Sequence, residues 1–129
     1  MHDRVDLRLV VSVTALDPAL AFYEGLVGLR RTASADELAW LATADGVEIM
    51  LHERPATPSD TAVALGLAVP DLDGVVGAWA ARGGVVVDPP EERPWGERMA
   101  VVRDPDGHLV CLSQASAAAV ASSTAAPPT

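Results

Sequence analysis

Val5, Leu7, Leu9, Val11 and Val13 alternate with Asp6, Arg8, Val10 and Ser12, the period-two pattern of a strand. Leu16-Asp17-Pro18 predicts a helix start, with Asp17 as its cap and Pro18 in its first turn. Leu20, Phe22, Tyr23 and Leu26 give that helix an apolar side, and Gly28 stops it. A short strand over Leu29 to Thr32 follows. Strands over Glu37 to Ala42 and Val47 to His52 then flank an Asp45-Gly46 turn, a hairpin signal. The second half repeats the order. A strand is predicted over Ala62 to Val69, then a helix over Leu72 to Arg82 with Val75, Val76 and Trp79 as its buried stripe. A strand over Val85 to Asp88 leads to a loop holding Pro89, Pro90, Pro94 and Trp95. Strands over Arg98 to Arg103 and His108 to Ser113 surround the turn Asp104-Pro105-Asp106-Gly107.

The two halves match position by position. LVVSVTALDPALAFYEGLVGL, Leu9 to Leu29, slides onto LGLAVPDLDGVVGAWAARGGV, Leu65 to Val85. Leu9 falls on Leu65, Val13 on Val69, Leu16 on Leu72, Asp17 on Asp73, Leu20 on Val76, Tyr23 on Trp79 and Gly28 on Gly84. Asp45-Gly46 later matches Asp106-Gly107 at a slightly longer offset. Such a repeat names the architecture: an α+β chain of two tandem βαβββ modules, residues 1–53 and 61–114. Residues 54–60, with Pro55 and Pro58, are the linker. Residues 115–129 form an uncharged Ala/Ser/Thr/Pro tail, read as flexible. An alanine helix over Ala117 to Ala121 is too short to stand alone.

Composition narrows the function. Half of the 129 residues are apolar, enough for a core, yet no apolar run reaches the roughly 18 residues of a membrane span. Near the N-terminus Asp3, Arg4, Asp6 and Arg8 interrupt any signal-peptide apolar region. One cysteine, Cys111, excludes an intrachain disulfide and fits a reducing cytoplasm. The net charge of −9 repels nucleic acid and anionic membranes. Its field favours cationic ligands, but the plainer reading is a surface kept acidic for solubility.

LDPALAFYEGLVGL resembles the first helix of the vicinal oxygen chelate superfamily, the glyoxalase, bleomycin-resistance and extradiol-dioxygenase group, and RPWGERMAVVRDPDGHLVCL resembles its last hairpin. The likeness runs from about Val5 to Ser113. It implies a curved mixed sheet around a cavity, and a homodimer with sites shared between chains. In metal-dependent members four side chains hold a divalent ion, two from first strands and two from last strands. The resemblance places those positions at Arg8, fourteen residues before Phe22, at its repeat partner Ala64, and at Met50 and Cys111, each four residues past a turn glycine. A guanidinium cannot ligate, alanine offers no donor, and a thioether with one thiol is not a sufficient set. The expectation is the fold with no metal and no cofactor. A rewired site from Glu48, His52 and Cys111 is the competing reading. It is opposed by the four-residue spacing of Glu48 and His52, roughly 13 Å along a strand. His108 flanks a turn with opposite parity to Cys111, and His2 sits in a terminus expected to fray.

Other candidate chemistry is sparse. Cys111 is either a small buried apolar residue or a nucleophile whose thiolate Arg8 would stabilise. Glu48 is the best candidate for a general base if the site is catalytic. Its plainer reading is a solvated strand-edge acid. Asp104 and Asp106 read as turn residues. Trp79 is expected in the core. Trp40 faces either the cavity or the helices. Trp95, in RPWG, is either a loop anchor or a recognition surface for flat ligands, and the resemblance favours the latter.

The leading expectation is a metal-free binding protein, not an enzyme, that sequesters a bulky, aromatic natural product, as in antibiotic resistance. Trp95 and Trp40 would stack the ligand, Met50, Ala64 and Cys111 would floor the site, and Arg8, Glu48 and His52 would supply polar contacts. The alternative is a metal-independent isomerase, cyclase, lyase or cofactor-free oxygenase. There Glu48 or His52 would abstract a proton and Arg8 would stabilise the oxyanion. A true metalloenzyme is the third reading.

Overall fold

The computed structural model describes residues 5–116. His2, the tail from Ala117 onward and the Ala117 to Ala121 segment lie outside the described residues. The chain divides between Thr57 and Pro58 into two compact units.

In the first unit, β1 (Arg8–Val13) leads into α1 (Leu16–Leu20), which continues as a π-helical stretch (Ala21–Leu26). Then come β2 (Arg30–Ala35), β3 (Leu38–Ala42) and β4 (Glu48–Glu53). The four strands form one sheet in the order β1-β4-β3-β2. β1 runs parallel to β4 and the other pairs are antiparallel. Alternation puts Val13, Ala39, Leu41, Ile49 and Leu51 on one face, all fully buried with Phe22 and Tyr23 of the helical segment. Each large side chain so buried contributes about 1.5–3 kcal/mol relative to exposure. The helix does not run as a regular α-helix to Gly28. Val27 donates its N–H to the Phe22 carbonyl five residues back, a π-type bond. Phe22 and Tyr23 are adjacent, yet both are buried, with rings 4.8 Å apart at 85°. A wider turn lets two consecutive aromatics reach the sheet. Asp17 is not the cap: the cap position is Ala15, with no side-chain bond, and Asp17 lies inside the first turn.

The second unit repeats the plan with β5 (Leu65–Val69), α2 (Leu72–Ala81), β6 (Val85–Glu92), β7 (Arg98–Arg103) and β8 (Leu109–Gln114). Its sheet order is β5-β8-β7-β6, with β5 parallel to β8. The buried set is Val69, Leu72, Val76, Ala100, Val102, Val110 and Leu112. Here a side chain does cap the helix: Asp71 accepts the Gly74 N–H at 3.1 Å. The stripe on α2 is Leu72 and Val76. Trp79, expected in the core, is half-buried. Its indole N–H donates to the Arg103 carbonyl at 2.9 Å, and its ring occupies the space that a Gly84 side chain would need. Gly28 and Gly84 match in the repeat, yet the left-handed residue after α2 is Gly83, at φ 84°.

Two strands are longer than their sequence patterns suggest. β2 reaches Ala35 although every residue in it is exposed. β6 continues through Pro89 and Pro90 to Glu92, with register shifts at Val86/Asp88 and Asp88/Glu91. Both are edge strands, where prolines and bulges are tolerated because one side of the ladder needs no partner. β5 begins at Leu65, three residues later than expected, which leaves Ala64 just outside it.

Candidate functional site

The chemistry-bearing residues follow from strand register. On β4, Ile49 and Leu51 point into the core, so Glu48, Met50 and His52 face the opposite side. Cross-strand partners share a face. Arg8, Val10 and Ser12 of β1 pair with Glu48, Met50 and His52. Ala42, Trp40 and Leu38 of β3 pair with the same three. The open face of the first sheet thus carries three parallel rows. The central one is apolar, Val10–Met50–Trp40, continued by Ala33 of β2. One flanking row holds Arg8 and Glu48, and the other holds Ser12 and His52. Rows on one face lie two residues apart along the strands, roughly 7 Å.

This placement decides the facing of Trp40: it is half-buried on the open face, beside Met50. Arg8 and Glu48 form an ion pair through the arginine Nε and a glutamate oxygen. Glu48 is therefore a paired carboxylate, in place of the free general base considered from the sequence. Arg8, Glu48, Asp6 and Asp45 border an open groove of about 550 Å³ at this end of the sheet. At the other end, Ser12 accepts a hydrogen bond from Arg54 Nε at 2.7 Å.

The corresponding face of the second sheet has smaller side chains in its central row. Gly66, Cys111 and Val101 pair across three strands, in the places of Val10, Met50 and Trp40. Cys111 is half-buried and its thiol is free. Ala64 precedes this sheet, exposed. The guanidinium proposed to stabilise a Cys111 thiolate belongs to the first unit and is engaged there by Glu48. Trp95 occupies the β6–β7 turn, 65% exposed, with its indole N–H donating to Glu97 at 2.7 Å. Glu97 was not singled out from the sequence, although it lies only two residues beyond Trp95.

Two further ion pairs brace helices against strands. Arg31 holds Glu24 at 2.6 and 3.2 Å. Arg98 holds Asp73 at 2.8 and 3.2 Å. The hydrogen bonds from these guanidinium groups lower both carboxyl pKa values from the ordinary range and raise those of the arginines.

The sequence profile of the Glyoxalase/Bleomycin resistance protein/Dioxygenase superfamily matches residues 7–112. The chain belongs to this superfamily. Among solved structures it is similar to TnmS3, an antibiotic binding protein from Streptomyces sp. CB03234. The identity is 25%, 90% of this chain and 99% of that one are covered, and the TM-score is 0.68. It is also similar to TioX from Micromonospora sp. ML1, at 24% identity over 86% of this chain and 98% of that one, with a TM-score of 0.66. A protein of unknown function from Agrobacterium tumefaciens shares the fold at 18% identity, with 90% and 98% covered and a TM-score of 0.74. No curated protein matches the chain.

The residues do not suit the divalent ion that metal-dependent relatives hold. Arg8, Ala64, Met50 and Cys111 present a fixed cation, a methyl group, a thioether and one thiol. Among the described residues no three of His, Cys, Asp and Glu come together as a metal site. Among them, too, no helix is long and apolar enough to cross a membrane.

Proposed function

We propose that this chain is a metal-independent binding protein that sequesters a bulky, flat aromatic natural product. The observation that carries this reading is the row Val10–Met50–Trp40 on the open face of the first sheet, an apolar strip with an indole in it and polar rows on both sides. An aromatic ring laid on this strip meets Trp40 and Met50. Its polar substituents reach Arg8 and Glu48 on one side and Ser12 and His52 on the other. Pockets with mostly apolar walls and a few oriented polar groups are the common form of small-molecule sites. In the second unit, the exposed Trp95 is a further indole surface on which a flat ring can stack. The likeness to an antibiotic binding protein over nearly the whole chain supports the same reading. The working form is a homodimer, which sedimentation of the purified chain tests directly.

Tryptophan-fluorescence titration against a panel of polycyclic aromatic natural products tests the proposal, with each mixture recovered for mass spectrometry. Saturable quenching near one ligand per site with the compound intact is the expected result. Trp40→Ala should weaken binding about tenfold or more with the fold unchanged.

A second reading is favoured by the presence of Arg8, Glu48 and His52 on one face: metal-independent turnover, with Glu48 or His52 taking a proton and Arg8 steadying the developing oxyanion. The ion pair of Glu48 with Arg8 counts against a free base there. Product accumulating beyond stoichiometry, and abolished in Glu48→Gln, would replace the binding reading with this one.

A further inference from the structure

Around the β6–β7 turn, carboxylates and guanidinium groups are sorted into separate pairs. Arg93 donates to Glu91 at 2.9 Å and lies 3.9 Å from Asp88. Arg98 is held by Asp73 through two bonds. Glu97 takes neither of these neighbouring cations. Its carboxylate accepts the indole N–H of Trp95 instead, at 2.7 Å. The backbone closes the turn beneath them: Arg93 donates to the Glu97 carbonyl at 2.8 Å and Gly96 donates to that of Arg93 at 2.9 Å. Gly96 sits at φ 96°, a conformation that side chains rarely adopt.

Two physical consequences follow. With its single donor engaged, the indole has no hydrogen bond to offer a ligand, so recognition falls to its ring, 65% of the residue being in solvent. A carboxylate at the N–H also adds negative charge at the edge of a ring whose face already attracts cations. Glu92, exposed at the end of β6, stands at the foot of the same turn. The arrangement is therefore tuned for charge as well as for flatness.

We propose that Trp95 and Glu97 act together as a binding element for a flat, positively charged aromatic ring, Glu97 being the positioning residue that holds the indole and supplies the counter-charge. This deepens the sequestration reading and rests on it only for the placing of Trp95 in the ligand's path. Fixing the indole in advance lowers the ordering cost of binding.

The test uses the full chain and two probes of the same shape: 10-methylacridinium, a permanent cation, and acridine at about pH 8, where it is neutral. The cation should bind about 2- to 5-fold more tightly than acridine. Glu97→Gln, which keeps an acceptor but not the charge, should erase that preference and leave the Trp95 indole N–H resonance near its original position. Glu97→Ala should shift that resonance and weaken both probes about 2- to 10-fold. The resonance is assigned by its loss in Trp95→Phe. Equal binding of the two probes to the unaltered chain, with Trp95 perturbed, would overturn the charge preference and leave the sequestration reading standing. A preference that survives Glu97→Gln would overturn the role of Glu97 alone. Saturable binding that leaves the Trp95 resonance unmoved would overturn the element itself, and failure of both probes to bind would count against both readings.

Discussion

The carboxylate of Glu53, at the end of β4, accepts the backbone N–H of Leu16 at the start of α1 at 2.9 Å. In the second unit the side chain of Gln114, at the end of β8, accepts the N–H of Leu72 at the start of α2 at 3.0 Å. The next residues repeat as well: Arg54 donates to the Val13 carbonyl and Ala115 to that of Val69. Each unit thus ties its last strand to the first residue of its helix. Helix starts leave N–H groups without partners, and here the sheet supplies an acceptor.

Glu53→Ala should destabilise the chain by about 1–2 kcal/mol, because it strands a partly buried donor. Glu53→Gln should restore most of the loss, since Gln114 already does this work in the second unit. Urea denaturation checks both: the midpoint should move and the slope should not.

Gly84→Ala should cost about 1–3 kcal/mol by overpacking, since the new Cβ would run into the Trp79 ring. Trp79→Leu in the same chain should recover part of that loss, although it forfeits the bond to Arg103. Thermal unfolding of the two single variants and the double variant measures the coupling.

The Asp73–Arg98 pair predicts an acid dependence with a definite sign. Arg98 lowers the folded-state carboxyl pKa below its ordinary value of 3.8. The unfolded chain therefore takes up that proton first as pH falls. The contribution is fully present above the unfolded value and is lost as pH drops through the folded one. Glu24 with Arg31 behaves alike. Both pairs are solvent-exposed, so the effect on stability is small. Arg98→Gln should raise the Asp73 titration midpoint, read by NMR of the carboxyl carbon, and flatten the acid limb of the stability profile. An unchanged midpoint would show that the pair does not persist in solution.

Local pattern carried the element order. Alternation in β1, the Asp45-Gly46 and Asp106-Gly107 turns and the matching helices were all legible, because periodicity and turn chemistry are short-range signals. The superfamily was legible too, since its motifs are contiguous. Edge positions were harder to read: β6 runs through Pro89 and Pro90 because only one side of it must hydrogen-bond. Whether a strand is an edge is not written in its own residues.

The candidate site divides the same way. The sequence alone determined that Arg8, Met50, Ala64 and Cys111 are a poor set of metal donors, because ligating ability belongs to the side chain itself. Alternation also put Glu48, Met50 and His52 on one side of a strand. Only the tertiary structure decided that Arg8 pairs with Glu48, that Trp40 lies beside Met50, and that Glu97 holds the Trp95 indole. The first two depend on the register between strands far apart in the chain, and the third on how a turn folds back. Such geometry is settled by packing of the whole sheet, not by neighbours along the chain.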